Sequence, residues 1–289
     1  PGLPISYINN GGYSQTADLI RYTRLEDVGN LENTIFPNQF RWDKDKSYMH
    51  QEEWDLLTQA RQARLSRLNS KSNLSVREKL ARSGYQSAIN STSALKDMAT
   101  TIQSAGELQG WEDGPYGGSS LKRQAQLALL AMKSGVSSAA DLVMWGYDTH
   151  DNHDAQHEWL FTNLTSSIDY LWTYAEQLGI ADRLVVVIGS DFGRTPHYND
   201  TQGKDHWPIG SVIVMEKDVS WGNQVIGKTD AGHNAMKINP TTFLQDEQNG
   251  TIIYPKHVID SLRAYLGISS TQLSQPFAFN NTENFGFFS

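Results

Sequence analysis

Apolar positions along the chain change their period several times, and each change marks an element. From Glu52 onward Trp54, Leu57, Ala60, Leu65 and Leu68 recur at near-helical spacing, as the core-facing stripe of an amphipathic helix does. Ser75 can accept from free backbone N–H groups and so opens a second helical run through Leu80, Ala88, Leu95 and Met98. Together these runs predict a helical insertion or subdomain over residues 50–105. Gly106, Gly110, Gly114, Pro115, Gly117 and Gly118 then interrupt the pattern; they predict a hinge or surface loop leading into a helix over residues 121–133. Residues 1–48 carry only short periodic runs and read as irregular, with one short helix.

Further along, apolar runs of strand length alternate with a long helix. Leu142, Val143, Met144, Trp145 and Tyr147 form a strand candidate, and a helix follows over residues 155–178 with Leu160, Leu164, Ile168, Leu171, Ala175 and Leu178 on one face. Leu184 to Ile188 is a continuous β-branched run, the pattern of a strand buried on both faces of a parallel sheet. Val212 to Met215 predicts a third strand, and Pro255 sits in the first turn of a helix carrying Val258, Leu262 and Leu266. Strands alternating with helices in this way predict an α/β class with a mainly parallel sheet.

Composition narrows the partners. The 289 residues suit one domain, and the net charge of −8 with a pI near 5.5 lacks the basic footprint of a nucleic-acid binder. The absence of cysteine excludes disulfides and thiolate metal sites. No stretch is apolar and long enough to span a bilayer, and residues 1–12 lack the basic-then-apolar pattern of a signal peptide. The first residue is Pro1 rather than Met, which leaves a mature protein or a fragment lacking its upstream part as the expectation.

Two strand candidates end in an acid just past the last apolar residue, Asp148 after Tyr147 and Asp191 after Ser190. In an open parallel sheet, ligands bind beyond the carboxyl ends of the strands, so both carboxylates are expected in one crevice. Asp148 and His150 are two apart, which in extended backbone places them on one side, able to offer an oxygen and a nitrogen to one ion. His206 is the third candidate, with Asp205 beside it as a ligand or as the group that orients an imidazole. His153 and His157, four apart, are a further possible pair. Carboxylate and imidazole without thiolate suit zinc, manganese or a comparable divalent cation, with magnesium or calcium favoured if oxygens dominate. Arg194 and Lys204 could hold a phosphate or sulfate oxyanion. Aromatics around the site suit a sugar-like ligand or plain packing.

Each candidate has a plainer reading. Asn152 and Asp154 precede a helix and fit N-capping. Asp148 and Asp191 could be turn residues bonded to nearby backbone. Arg194 and Lys204 could simply balance the acids. His50, His197, His233 and His257 stand in no chemical context and read as structural.

Four segments carry a family resemblance: Leu121-Lys122-Arg123-Gln124, Gly146-Tyr147-Asp148-Thr149-His150, Ser190-Asp191-Phe192-Gly193-Arg194-Thr195 and Gly203-Lys204-Asp205-His206. In their order and spacing, residues 121–230 resemble the domain-of-unknown-function family 1501 (DUF1501), a group related to the alkaline phosphatase and sulfatase superfamily. The resemblance implies an alkaline-phosphatase-like three-layer α/β/α sandwich with a mainly parallel sheet and a helical insertion over the whole chain, either complete or lacking its N-terminal strand or strands. It implies divalent metal, zinc foremost, on Asp148, His150, Asp191 and His206, and hydrolysis of small phosphate or sulfate esters. The alternative is an exported binding or assembly protein that keeps the fold without turnover. Members often carry twin-arginine export signals, which implies the periplasm or cell exterior. Two departures stand out. Phe192 follows Asp191 where the superfamily generally has His, implying a single-metal or altered site. No early strand carries an Asp followed by a Ser, Thr or Cys nucleophile, so either upstream sequence is missing or that nucleophile is not used.

Overall fold

The protein is described by a computed structural model covering residues 5–6, 23–24, 36–40, 43–106, 108–110, 112–114, 117–119, 121–269, 278–279 and 283–289. It divides into two compact units, residues 1–147 with 158–180, and residues 148–157 with 181–289. Most of the irregular stretch and short helix expected over residues 1–48 lies outside the described residues.

The first unit is mainly helical. Helix α1, Gln51–Asn69, starts at His50, whose backbone N–H donates to the Glu53 carboxylate at 3.0 Å. Helix α2, Val76–Ser104, starts at Ser75 as the sequence predicts: Ser75 N–H donates to Glu78 at 2.9 Å, and Glu78 N–H donates to the Ser75 hydroxyl at 3.3 Å. This reciprocal pair satisfies two of the free donors that every helix start exposes. Tyr85 of α2 ties back to α1 by donating to the Arg61 carbonyl at 3.2 Å. Helix α3, Leu121–Lys133, is buried from Gln124 through Ala131, and Leu130 and Ala131 pack with Met98, Ile102 and Val136. Helix α4, His153–Gln177, belongs to this unit from Glu158 onward, and its Tyr174 packs on the same cluster.

The strands of this unit are short. β1 (Ile5–Ser6) pairs in parallel with β2 (Thr23–Arg24) and with β7 (Ala140–Asp141). β3 (Gln39–Phe40) pairs with β4 (Asp43–Ser47), and β5 (Glu112–Gly114) with β6 (Gly117–Ser119), both antiparallel. The glycine-rich stretch expected as a hinge or surface loop contains a small hairpin.

In the second unit β8 (Val185–Ile188) pairs antiparallel with β11 (Ile213–Glu216), Val185 opposite Glu216 and Ile188 opposite Ile213. β9 (Gly193–Arg194) pairs antiparallel with β10 (His206–Trp207). Helix α5, Pro255–Tyr265, has Pro in its first turn as expected, and Tyr254 N–H donates to His257 Nδ1 at 3.0 Å. Ile238, Phe285 and Phe287 form the core beside α5, with Val258 packed against them.

These pairings correct the expected fold class. The described residues form separate short sheets, most of them antiparallel pairs, and not the mainly parallel sheet of an alkaline-phosphatase-like three-layer sandwich. Two local causes are visible. The strand expected over residues 142–147 is not formed, and at Val143 buried Gln124 takes the backbone bonds that a neighbouring strand would: Val143 N–H donates to Gln124 Oε1 and Gln124 Nε2 donates to the Val143 carbonyl, each at 2.9 Å. A side-chain amide offers the same donor–acceptor pair as a neighbouring strand, so the backbone is satisfied without one. The β-branched run at 185–188 does form a strand, but Val187 is 47% exposed, so it is not buried on both faces, and its hydrogen-bonded neighbour runs the opposite way. Among the described residues no helix is long and apolar enough to cross a membrane.

Candidate metal centre

Every residue of the centre belongs to the second unit. Thr149 anchors its first segment. This residue is fully buried; its hydroxyl meets His153 Nδ1 at 2.7 Å, and its carbonyl accepts from Lys204 N–H at 3.0 Å. With Thr149 turned inward, Asp148 and His150 on either side of it are exposed, the alternation that extended backbone imposes. The segment continues along residues 201–204: Asn152 N–H donates to the Thr201 carbonyl and His153 N–H to the Gln202 carbonyl, at 3.2 and 2.9 Å. Gly203 is required here, because a side chain on it would overlap the carbonyl of His150.

The β9–β10 ribbon supplies the rest. Arg194 and His206 are direct cross-strand partners and so project from the same face. Thr195 holds the ribbon end, its N–H donating to the Asp205 carbonyl at 2.9 Å and its hydroxyl accepting from Asp205 N–H at 3.1 Å.

Three atoms converge where these segments meet. Asp148 Oδ1, His150 Nε2 and His206 Nε2 are separated by 3.1, 3.2 and 3.3 Å, a nearly equilateral triangle. In a tetrahedral zinc site with bonds of roughly 2.0–2.1 Å, two ligand atoms stand about 3.3 Å apart. The triangle thus has the size of one face of such a site, with the fourth position open. Protonation supports the fit. His150 Nδ1 lies 3.0 Å from Asp205 Oδ1, and an ionised carboxylate only accepts, so Asp205 can take the Nδ1 proton in a hydrogen bond and leave Nε2 for a cation. His150 Nε2 faces the Asp148 oxygen and the second imidazole, the position a ligand to a shared cation would take. The hydrogen bond from Arg194 and then that from His206 hold the Asp148 carboxyl below the ordinary carboxylate range. Bonds from His150 and Asn199 do the same for Asp205. Asp148, His150 and His206 therefore form a group that can hold a metal ion. Two imidazoles and one carboxylate suit zinc, manganese or iron(II) better than magnesium or calcium.

Asp191, expected as a fourth ligand, is exposed and stands outside this group. His153 is also outside: it is buried against Thr149 and its ring lies 3.9 Å from that of His157. Asp205 orients His150 rather than the adjacent His206. Arg194 flanks the triangle, its Nη2 donating to Asp148 Oδ1 and its Nη1 to the Lys204 carbonyl at 3.1 Å. Lys204 has its ammonium over the Tyr198 ring at 4.8 Å. Asp154 accepts from the Tyr198 hydroxyl at 2.8 Å and does not cap α4. Phe192 packs on His206, ring centroids 4.2 Å apart. Asn199 and Thr201, which bind the His150 carbonyl, had no signal beyond their place in a polar loop.

The family model described as "Protein of unknown function (DUF1501)" matches residues 40–249. No curated protein and no solved structure matches the chain.

Proposed function

The chain belongs to the DUF1501 family, and from that premise we propose that it is a metal-dependent hydrolase of phosphate or sulfate esters, with zinc on Asp148, His150 and His206. The observation that carries the reading is the triangle of ligand atoms with edges of 3.1 to 3.3 Å and a cationic Arg194 beside it. A bound divalent cation supplies charge to a developing oxyanion and activates a coordinated water or hydroxyl. The residues do the rest. Asp205 keeps the His150 proton on Nδ1, so that Nε2 stays a donor to metal. Arg194, whose side chain is only 13% exposed, keeps its guanidinium at the rim, where its planar fork can engage two oxygens of a phosphate or sulfate. Kinship with the alkaline phosphatase and sulfatase superfamily is part of this proposal and rests on the order of the motifs, not on the sheet. Export to the periplasm or cell exterior belongs to it on the same ground.

Metal analysis of the purified protein should find about one divalent ion per chain. Asp148→Ala and His206→Ala should lose it, and equal metal content in both variants and the parent would end the reading. A panel of aryl phosphates and sulfates, assayed with zinc and with manganese, then tests turnover.

A second reading, a non-catalytic binding or assembly protein, draws on one observation. Phe192 occupies the position after Asp191 and packs on His206, so an apolar ring stands where a second metal's imidazole would be expected. Stoichiometric metal together with inactivity across the whole panel would favour it.

A further inference from the structure

We propose that Asn199 is the positioning residue of the metal centre, fixing His150 from both its backbone and its ring. This rests on the reading of Asp148, His150 and His206 as ligands.

The Asn199 side chain touches none of the three ligand atoms, yet all of its polar capacity is engaged around His150. Nδ2 donates to the His150 carbonyl at 2.9 Å and to Asp205 Oδ1 at 3.2 Å. Oδ1 accepts from Gly203 N–H at 2.8 Å and from Thr201 N–H at 3.1 Å. This network also decides which way round the amide sits. A flipped amide would aim its N–H groups at two backbone N–H donors and its oxygen at a carboxylate and a carbonyl. Only one orientation satisfies every partner.

The two donor bonds act at opposite ends of one residue. The first, joined by the Thr201 hydroxyl at 2.7 Å, clamps the carbonyl of His150 and so sets where its backbone lies. The second holds the carboxylate that bonds His150 Nδ1, and so sets the ring's rotation and which nitrogen is free. The accepting half holds residues 201–203 against that backbone, where only glycine at 203 permits the approach. Asn199 thereby links three separate requirements of the ligand: backbone position, ring orientation and proton placement. Asp in its place would keep the accepting half but would lose both donors and set a second carboxylate against Asp205.

The test uses the full chain stripped of metal and reloaded with zinc or cobalt(II). Zinc affinity is read by competition with a chromophoric chelator, and ligand geometry by the visible absorption of the cobalt form. Asn199→Asp should weaken zinc roughly 10- to 100-fold, the usual cost of losing a group that orients a ligand, and should alter the cobalt spectrum. The double variant Asn199→Asp with Asp205→Asn restores the 199–205 bond with its polarity reversed, and should recover part of the affinity. A residue that merely stabilised the loop would shift the melting temperature and leave the cobalt spectrum alone. Parent-like affinity and spectrum in Asn199→Asp would overturn the proposal while leaving the metal centre standing. A parent that binds neither ion would remove the centre itself and this inference with it. If Asn199→Asp does not fold, Asn199→Ser, which adds no charge, is held to the same two readouts.

Discussion

Arg194 and His150 both lie against one oxygen of Asp148: the guanidinium donates to Oδ1, and His150 Nε2 lies 3.1 Å from the same atom. A metal at the triangle and the guanidinium therefore compete for a single lone-pair-bearing atom. Removing the arginine should tighten metal binding, since it frees the oxygen and takes away a like charge. Because Asp148 is largely exposed, solvent screens the pair and the gain should be roughly two- to fivefold. The same Arg194→Met variant should bind phosphate, sulfate or vanadate more weakly than the parent. Metal titration and oxyanion inhibition, measured side by side, check the opposite signs.

Metal should also register as folding stability. An ion that binds only the native state at about 100 times its dissociation constant adds roughly 2.7 kcal/mol. For a unit of this size that corresponds to roughly 10 °C in melting temperature. Chelator treatment of the parent should lower the transition by that order, and Asp148→Ala should melt at one temperature with or without added zinc. Scanning calorimetry of the four samples decides it.

Gly203 gives a sharper structural test than any ligand. A methyl group there would overlap the carbonyl of His150, which is backbone and has no rotamer to escape into. Gly203→Ala should cost at least about 2 kcal/mol and abolish metal binding, although no ligand atom is altered. Gly210, whose nearest neighbours to an added methyl lie at 3.7 and 3.8 Å, is the matched control and should tolerate alanine far better. Urea denaturation of the two variants compares them directly.

The acid side of the stability profile should depend on His257. Its Nδ1 accepts from Tyr254 N–H, so the proton sits on Nε2, which is buried and has no hydrogen-bond partner among the described residues. Burial, reinforced by Lys256 and opposed by Glu283 and Asp260, holds its pKa below the ordinary 6.5. In this case the unfolded chain takes up the proton first. Stability is then complete above pH 6.5 and declines as pH falls from 6.5 toward the lower folded value. His257→Asn, which keeps an acceptor near Nδ1 and cannot titrate, should flatten that decline. Urea midpoints measured between pH 7.5 and about 5 for both proteins would show it.

Much of the helical architecture can be read directly from the residues, because a helix announces itself locally. The Leu121–Lys133 run, the Ser75 cap and Pro255 at a first turn all act within a few positions of chain. Sheet pairing is set by partners far away in sequence, and there the local pattern misleads. Nothing around residue 143 reveals that the amide of Gln124 will occupy its hydrogen bonds. Nothing in the 185–188 run states that residues 213–216 will lie antiparallel to it. The nearness of Asp148 to His150 follows from a spacing of two, whereas the role of Asp205 toward His150 spans 55 positions and was not legible. Asp191 is expected at the centre on two grounds, the family resemblance and a parallel-sheet rule, and the strand before it pairs antiparallel, so the second ground fails.

The centre joins Asp148 to His206, positions 58 apart, in a chain without a single cysteine. With an ion in place, that link acts as a removable staple. Pulled from its ends, the metal-loaded chain would keep the intervening stretch, about 200 Å of contour, out of reach of the force until the coordination bonds gave way. The stripped chain would yield the same length with no such rupture, so occupancy of the centre would be legible as a mechanical event.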